Sequence, residues 1–347
     1  MNFQLKEDKF HIRAFFAKCE CNCRFCCLGS FPKNKMISFD DYEKVMKKFS
    51  CVEKDYHMRL RSFIYNCPEH PYLKRQIQLY NSLPMVPEEY TQLDLNGTSM
   101  KSDKEIDAWL DELINAGVKK VAFSWFGIND THDAFVRKKG YFSYLETCAK
   151  KAHKKGIPVM SKVFLHKGII DDIDQLIDRL VSYSDNIVCA FMEYSGNAKT
   201  MQEEFFTQQD YEHLSEKTKS FIHSSYLKKF KTEKEWFRLA KEDAFPTFNI
   251  VDYILYVTSD NLQWVLETDI ADIITYFRNM NRDFQQSFGS ISALAQEYAE
   301  QDCECLYEVR DVLRKWLDRY YDKKNFDKTQ LFSFTNNSVE WKEYERL

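Results

Sequence analysis

An α/β fold, with parallel strands joined by crossover helices, is predicted for this chain from three observations. Six short runs rich in β-branched and aromatic residues recur over residues 8–200. Helical patterns with their own start signals separate them, and that alternation is the mark of βαβ units. Apolar residues make up 44% of the 347 while only 9 are glycine and 7 proline, so a sizeable core is affordable and linker material is scarce.

The strand candidates are His11–Phe16, Met58–Tyr65, Tyr90–Asn96, Lys119–Phe126, Ile157–Leu165 and Ile187–Tyr194. The first helical pattern starts at Ser38 and sets Phe39, Tyr42, Val45, Met46 and Phe49 on one face. Ser102 with Glu105 spells a capping box ahead of the stripe Ile106, Leu110, Leu113 and Ile114. Leu145, Ala149 and Ala152 lead to a stop at Gly156, and Ile173, Leu176, Ile177 and Leu180 form the next stripe. These faces read as core, without chemistry. Past residue 200 the pattern becomes longer-helical and charged, with Phe205, Tyr211, Phe221 and Trp236 interleaved with lysines. Tyr253–Leu266 then reads as a hairpin around Asp260-Asn261. Cys303-Glu304-Cys305 reads as part of an amphipathic helix in which Cys305 packs with Tyr298, Val309 and Leu313. Three segments are expected: 8–200, an extension over 201–334, and a polar tail over 335–347.

Composition excludes several partners. The 49 basic and 53 acidic residues are interspersed, for a net charge of −4, and leave no footprint for nucleic acid. No apolar run approaches the ~20 residues of a membrane span, and Met1–Asp8 has no apolar core of a secretory signal. Eleven cysteines in such a chain argue for reduced thiols and a metal site, with the cytoplasm as the expected compartment.

Five of those cysteines stand in Cys19-Glu20-Cys21-Asn22-Cys23-Arg24-Phe25-Cys26-Cys27. Cys19, Cys23 and Cys26 read as C-x3-C-x2-C with an aromatic, Phe25, before the last. Thiolates this close on one loop converge on a soft metal centre. A structural zinc knot with Cys21 or Cys27 as fourth ligand, or a disulfide cluster, would draw on the same thiols. Three cysteines leave one iron of a four-iron cluster open to a small molecule.

At this motif the chain resembles the radical SAM superfamily. The resemblance implies a partial (β/α)6 barrel over residues 8–200, with the cysteine loop after the first strand and the active site at the C-terminal strand ends. It implies a 4Fe-4S cluster on Cys19, Cys23 and Cys26, with Cys21 and Cys27 as bystanders, and S-adenosylmethionine chelated by the open iron. Reductive cleavage would then yield a 5′-deoxyadenosyl radical that abstracts hydrogen from a substrate. An electron donor such as flavodoxin or ferredoxin is implied as well.

The strand ends carry the remaining candidates. Where the family has Gly-Gly-Glu-Pro, this chain reads Asn66-Cys67-Pro68-Glu69-His70-Pro71, so Asn66 or Glu69 stands in for the glutamate that receives the SAM amino group. Leu95-Asn96-Gly97-Thr98 resembles the third strand end of the peptide-modifying branch. At the fourth strand, Ser124 and Arg137 correspond to the serine and arginine that hold the SAM ribose and carboxylate, a pairing suited to a guanidinium. Phe126 stands where the family has aspartate, and His132-Asp133 follows. Ser161 and Lys162 on the fifth strand are polar candidates for ribose or substrate. Gly196 resembles the glycine whose backbone approaches the adenine. The hairpin region resembles the start of a SPASM-type extension, without the auxiliary-cluster cysteines, and points to a peptide or protein side chain as substrate. A non-catalytic iron–sulfur or zinc scaffold that has lost SAM turnover is the alternative.

Overall fold

The computed structural model describes residues 6–15, 19–26, 35–65, 69, 71–83, 91–246, 250–287 and 289–324. The six expected runs form strands: β1 (Lys6–Phe15), β2 (Arg59–Tyr65), β3 (Gln92–Asp94), β4 (Lys120–Trp125), β5 (Val159–Leu165) and β6 (Asn186–Phe191). Three more follow, β7 (Phe230–Thr232), β8 (Ile250–Tyr256) and β9 (Leu306–Glu308). One sheet has the order β2-β1-β8 and a second the order β3-β4-β5-β6, and every pairing in both is parallel. This is the α/β architecture of a partial (β/α) barrel, with β7 and β9 forming a small antiparallel pair outside it.

The connecting helices start where the sequence signals stand. Ser38 caps the helix Phe39–Lys48 by accepting from the Asp41 N–H, and the Ser102–Glu105 capping box opens Asp103–Ala116. Tyr141–Lys154 and Ile173–Val181 bury the expected stripes. Each sheet has its own core. Phe10, Ile12, Phe49, Tyr253, Leu255 and Phe277 fill the first, with Phe10 stacked on Phe49 at 5.0 Å. The second runs from Phe123 and Trp125 under β3–β6 out to Trp236, Tyr307 and Trp316. No helix among the described residues is long and apolar enough to cross a membrane.

Two expectations fail here. The hairpin over Tyr253–Leu266 does not form: Ile250–Tyr256 is a strand parallel to β1, and Leu262–Glu267 is a helix. Residues 251–257 are all buried, as a parallel strand covered on both faces requires, so the run is continuous rather than alternating. Asn261 shapes the turn that leads into the helix, accepting from the Thr258 N–H and donating to the Tyr256 carbonyl. Nor do Cys303 and Cys305 lie in a helix. Ile291–Tyr298 ends at Ala299, whose ψ of 144° is extended, and Cys305 forms a lone antiparallel bridge with Thr207 just before β9.

Candidate functional site

The cysteine loop leaves β1 and is held to the ends of the other sheet by its backbone. Glu20 N–H donates to the Gly97 carbonyl (2.8 Å) beyond β3, and Arg24 N–H to the Phe135 carbonyl (2.9 Å) beyond β4. Asn22 N–H donates to Val136 (3.3 Å), while the Cys26 carbonyl accepts from Asn197 N–H (3.0 Å) beyond β6. A segment with no secondary structure of its own is thereby fixed at three places on the rim.

Phe25 seats the loop. Its ring lies 4.1 Å from that of Phe126, 5.3 Å from Phe135 and 6.0 Å from Phe164. Phe126, which replaces the family's aspartate, is therefore the floor beneath the loop. Two buried histidines clamp its peptide: His132 Nδ1 accepts the Phe126 N–H (3.2 Å), and His166 Nε2 donates to its carbonyl (3.2 Å). Gly127 follows with φ 117°, and a Cβ there would meet Thr131 Cγ2 at 2.5 Å, so the turn that brings His132 back under Phe126 requires glycine. Burial, with the His166 charge second, brings His132 down to about 3, so it stays neutral as this acceptor role demands. Arg24 anchors the loop's other side through Glu204 (3.3 Å). His166, Phe135 and Phe164 were missed by sequence reasoning, and only the histidine straight after the fifth run offered a signal.

The thiols sort by environment. Cys19, Cys23 and Cys26 are half-buried, whereas Cys21 is 6% exposed beneath them, and all four are unbridged. The Cys21 thiol meets Cys19, Cys23 and the Tyr141 hydroxyl; Cys19 lowers its pKa, but Cys23 and burial outweigh that and push it up to about 11. Three accessible soft donors on one anchored loop fit a 4Fe-4S cluster with an open iron, and an inward, reluctantly ionised Cys21 fits its exclusion. Cys27 lies outside the described residues.

The other candidates fall into two groups. Ser124, half-buried, has its N–H and carbonyl bonded to the Asn96 side chain (2.6 and 2.9 Å), which locks the third and fourth strand ends together. Its neighbour in register, Lys162, pairs with Asp94 (2.8 Å), so that lysine is already engaged. Ser161 is buried and bonded to Trp125 Nε1 and Ser184, which places it in the core. Gly97 and Thr98 donate their N–H groups to the Tyr141 hydroxyl (2.9 and 3.0 Å). Arg137 is exposed at the end of the helix Asn129–Val136, with φ 56°, one residue from the Val136 carbonyl that holds Asn22. Gly196, φ 50°, precedes the Asn197 that holds Cys26. Ser124, Arg137 and Gly196 thus share the rim with the cysteine loop. Glu69 is committed elsewhere: it accepts from Ser99 N–H (2.9 Å), Ser99 Oγ (2.6 Å) and Lys101. Burial raises its pKa, and those bonds outweigh burial and hold the carboxyl below its ordinary range. Asn66 lies outside the described residues.

Residues 14–180 match the family model of the Radical SAM superfamily. No curated protein matches the chain in sequence. Among solved structures, Streptococcus suis SuiB bound to the precursor peptide SuiA is similar at 11% identity and TM-score 0.50, over 77% of this chain and 64% of that one. SuiB bound to S-adenosylmethionine gives 11% and 0.47, over 72% and 58%. Native anSMEcpe with bound AdoMet gives 10% and 0.47, over 90% and 96%. The match spans between 40% and 64% of the length of the three SuiB chains. The three-cysteine loop is thus anchored across the strand ends of a parallel α/β barrel, and residues 14–180, just under half of the chain, match the Radical SAM superfamily, a family whose cofactors are a 4Fe-4S cluster and S-adenosylmethionine.

Proposed function

We propose that this chain cleaves S-adenosylmethionine reductively and uses the 5′-deoxyadenosyl radical to take hydrogen from a side chain of a peptide or protein. The anchored Cys19–Cys26 loop carries the reading. Cys19, Cys23 and Cys26 hold the cluster, which when bound supplies the electron that splits the sulfonium. The residues around it do the rest: Phe25 on Phe126 keeps the loop seated and sheltered from water, and Asn96 fixes the Ser124 main chain. Ser124 and Arg137 bind the ribose and carboxylate of S-adenosylmethionine, and Gly196 lets backbone approach the adenine. Asn66 takes the amino group, because the Glu69 carboxylate is already bonded to Ser99 and Lys101. A peptide substrate is supported by the likeness to SuiB, a protein solved with its precursor peptide. A flavodoxin or ferredoxin as donor and a cytoplasmic setting belong to the same proposal.

Anaerobic reconstitution with iron and sulfide, then dithionite and S-adenosylmethionine, tests this. Expected products are methionine and 5′-deoxyadenosine, absent with Cys23→Ala. Arg137→Ala should weaken S-adenosylmethionine binding at least ~10-fold, or ~1.4 kcal/mol, with iron content intact. A second reading, a scaffold that holds the cluster without turnover, is favoured by the engaged Glu69. Cluster and ligand bound with no 5′-deoxyadenosine formed would decide for it.

A further inference from the structure

A second group of thiols lies where the extension meets the barrel. Cys303 and Cys305 stand two residues apart on non-helical backbone, and both sulfurs lie against the same residue, Gln202. Gln202 touches both, its Nε2 donating to Cys303 Sγ at 3.5 Å and its carbonyl accepting from Cys305 Sγ at 3.8 Å. Cys303 is half-buried and Cys305 buried. Oxygens of Glu233 and Glu300 approach Cys303 Sγ within 4.8 Å, a grouping with the look of a metal site. The Lys315 ammonium already fills the cation's place, 2.6 Å from Glu233 and 3.0 Å from Glu300, with the Tyr307 hydroxyl at 3.2 Å. A divalent ion would have to displace a buried lysine, so the carboxylates belong to Lys315 and the thiols are left to each other.

We propose that Cys303 and Cys305 form a thiol–disulfide exchange site, a dithiol that closes to an intrachain disulfide with a low-molecular-mass disulfide, RSSR, as oxidant. The hydrogen bond with Cys303 outweighs burial and, with Lys167 and Lys315 nearby, brings the Cys305 thiol down to about 7. Near neutral pH a share of the molecules therefore holds one proton between the two sulfurs and carries one thiolate, the reacting species. The more exposed Cys303 passes its proton to Cys305 as its sulfur attacks RSSR and displaces RS−. Cys305 gives that proton to the departed RS−, attacks the Cys303 sulfur in the mixed disulfide and displaces the second RS−. The pair loses two electrons and one proton, and RSSR becomes one RSH and one RS−. Gln202 lies in the segment that follows β6, five residues beyond the Asn197 that holds Cys26.

The test uses the full chain with its cluster reconstituted, equilibrated anaerobically in glutathione and glutathione disulfide mixtures, alkylated and digested. The peptide carrying both cysteines is then weighed. As the disulfide fraction rises, both positions should escape alkylation together, without bound glutathione, and dithiothreitol should reverse this. In Cys305→Ser, Cys303 should instead keep glutathione as a stable mixed disulfide. The proposal falls if both positions stay alkylated throughout, or if the wild-type peptide itself accumulates glutathione. It also falls if Cys303→Ser with Cys305→Ser removes zinc or iron, which would make the pair metal ligands.

Discussion

The chain twice places cysteines two residues apart, and the two places hold them in opposite ways. Cys19, Cys21 and Cys23 lie on a loop anchored by main-chain hydrogen bonds to Gly97, Phe135 and Val136, and the thiols that match the family pattern stay half-buried. Cys303 and Cys305 lie against a buried ion cluster, in which Glu233 is 0% and Lys315 1% exposed. The first arrangement leaves soft donors half-buried on a loop that is seated by the stacking of Phe25 on Phe126 and Phe135. The second already contains its own cation. The same spacing of the same residue therefore acquires different chemistry from its neighbours, and the backbone anchoring of one site contrasts with the side-chain charge pairing of the other.

The largest expected effect separates the two sites outright. Cys23→Ala should reduce reconstituted iron from about four per chain to well below one, while Cys305→Ala leaves about four. Equal loss in both variants would break the distinction. Next is the ion cluster. Lys315→Met leaves Glu233 charged and buried without its partner, which costs about 3–5 kcal/mol. Urea denaturation should register that loss with iron content unchanged; a cost below about 1 kcal/mol would mean that water or Arg319 replaces the ammonium.

Acid sharpens the contrast with the smallest effect. His132 is lowered by burial from 6.5 to about 3, so its contribution to stability is complete above about 6.5 and is lost as pH falls toward 3. Glu300 is lowered from 4.5 to about 2, burial being outweighed by Gln202, Lys315 and Arg319, so its contribution is lost between those values. Denaturant midpoints should fall already between pH 6.5 and 5, with the same slope in Glu300→Gln as in the wild-type protein. A slope abolished in Glu300→Gln would place the first acid-labile group in the extension instead of beneath the cysteine loop.

Much of the barrel was legible because its signals are local. The six runs became six parallel strands, and Ser38 and Ser102 cap the helices they precede, since a cap involves residues only three apart. The three-cysteine loop was legible for the same reason. Ile250–Tyr256 was not, because a buried parallel strand and one arm of a hairpin share the same apolar residues. What separates them is whether the partner is β1, about 240 residues away, or the segment just beyond Asp260-Asn261.

By itself the sequence determined the alternation of strands and helices and the three-cysteine motif. Only the tertiary structure decided that Phe126 is a floor for Phe25, that His132 and His166 clamp its peptide, and that Glu69 is committed to Ser99 and Lys101. It alone brought Glu233, Glu300 and Lys315 together beside Cys303. Propensities, caps and motifs act over a few residues of chain. Burial and charge pairing act over a few ångströms of space, and which residues share that space is settled only when the two sheets and the extension have packed.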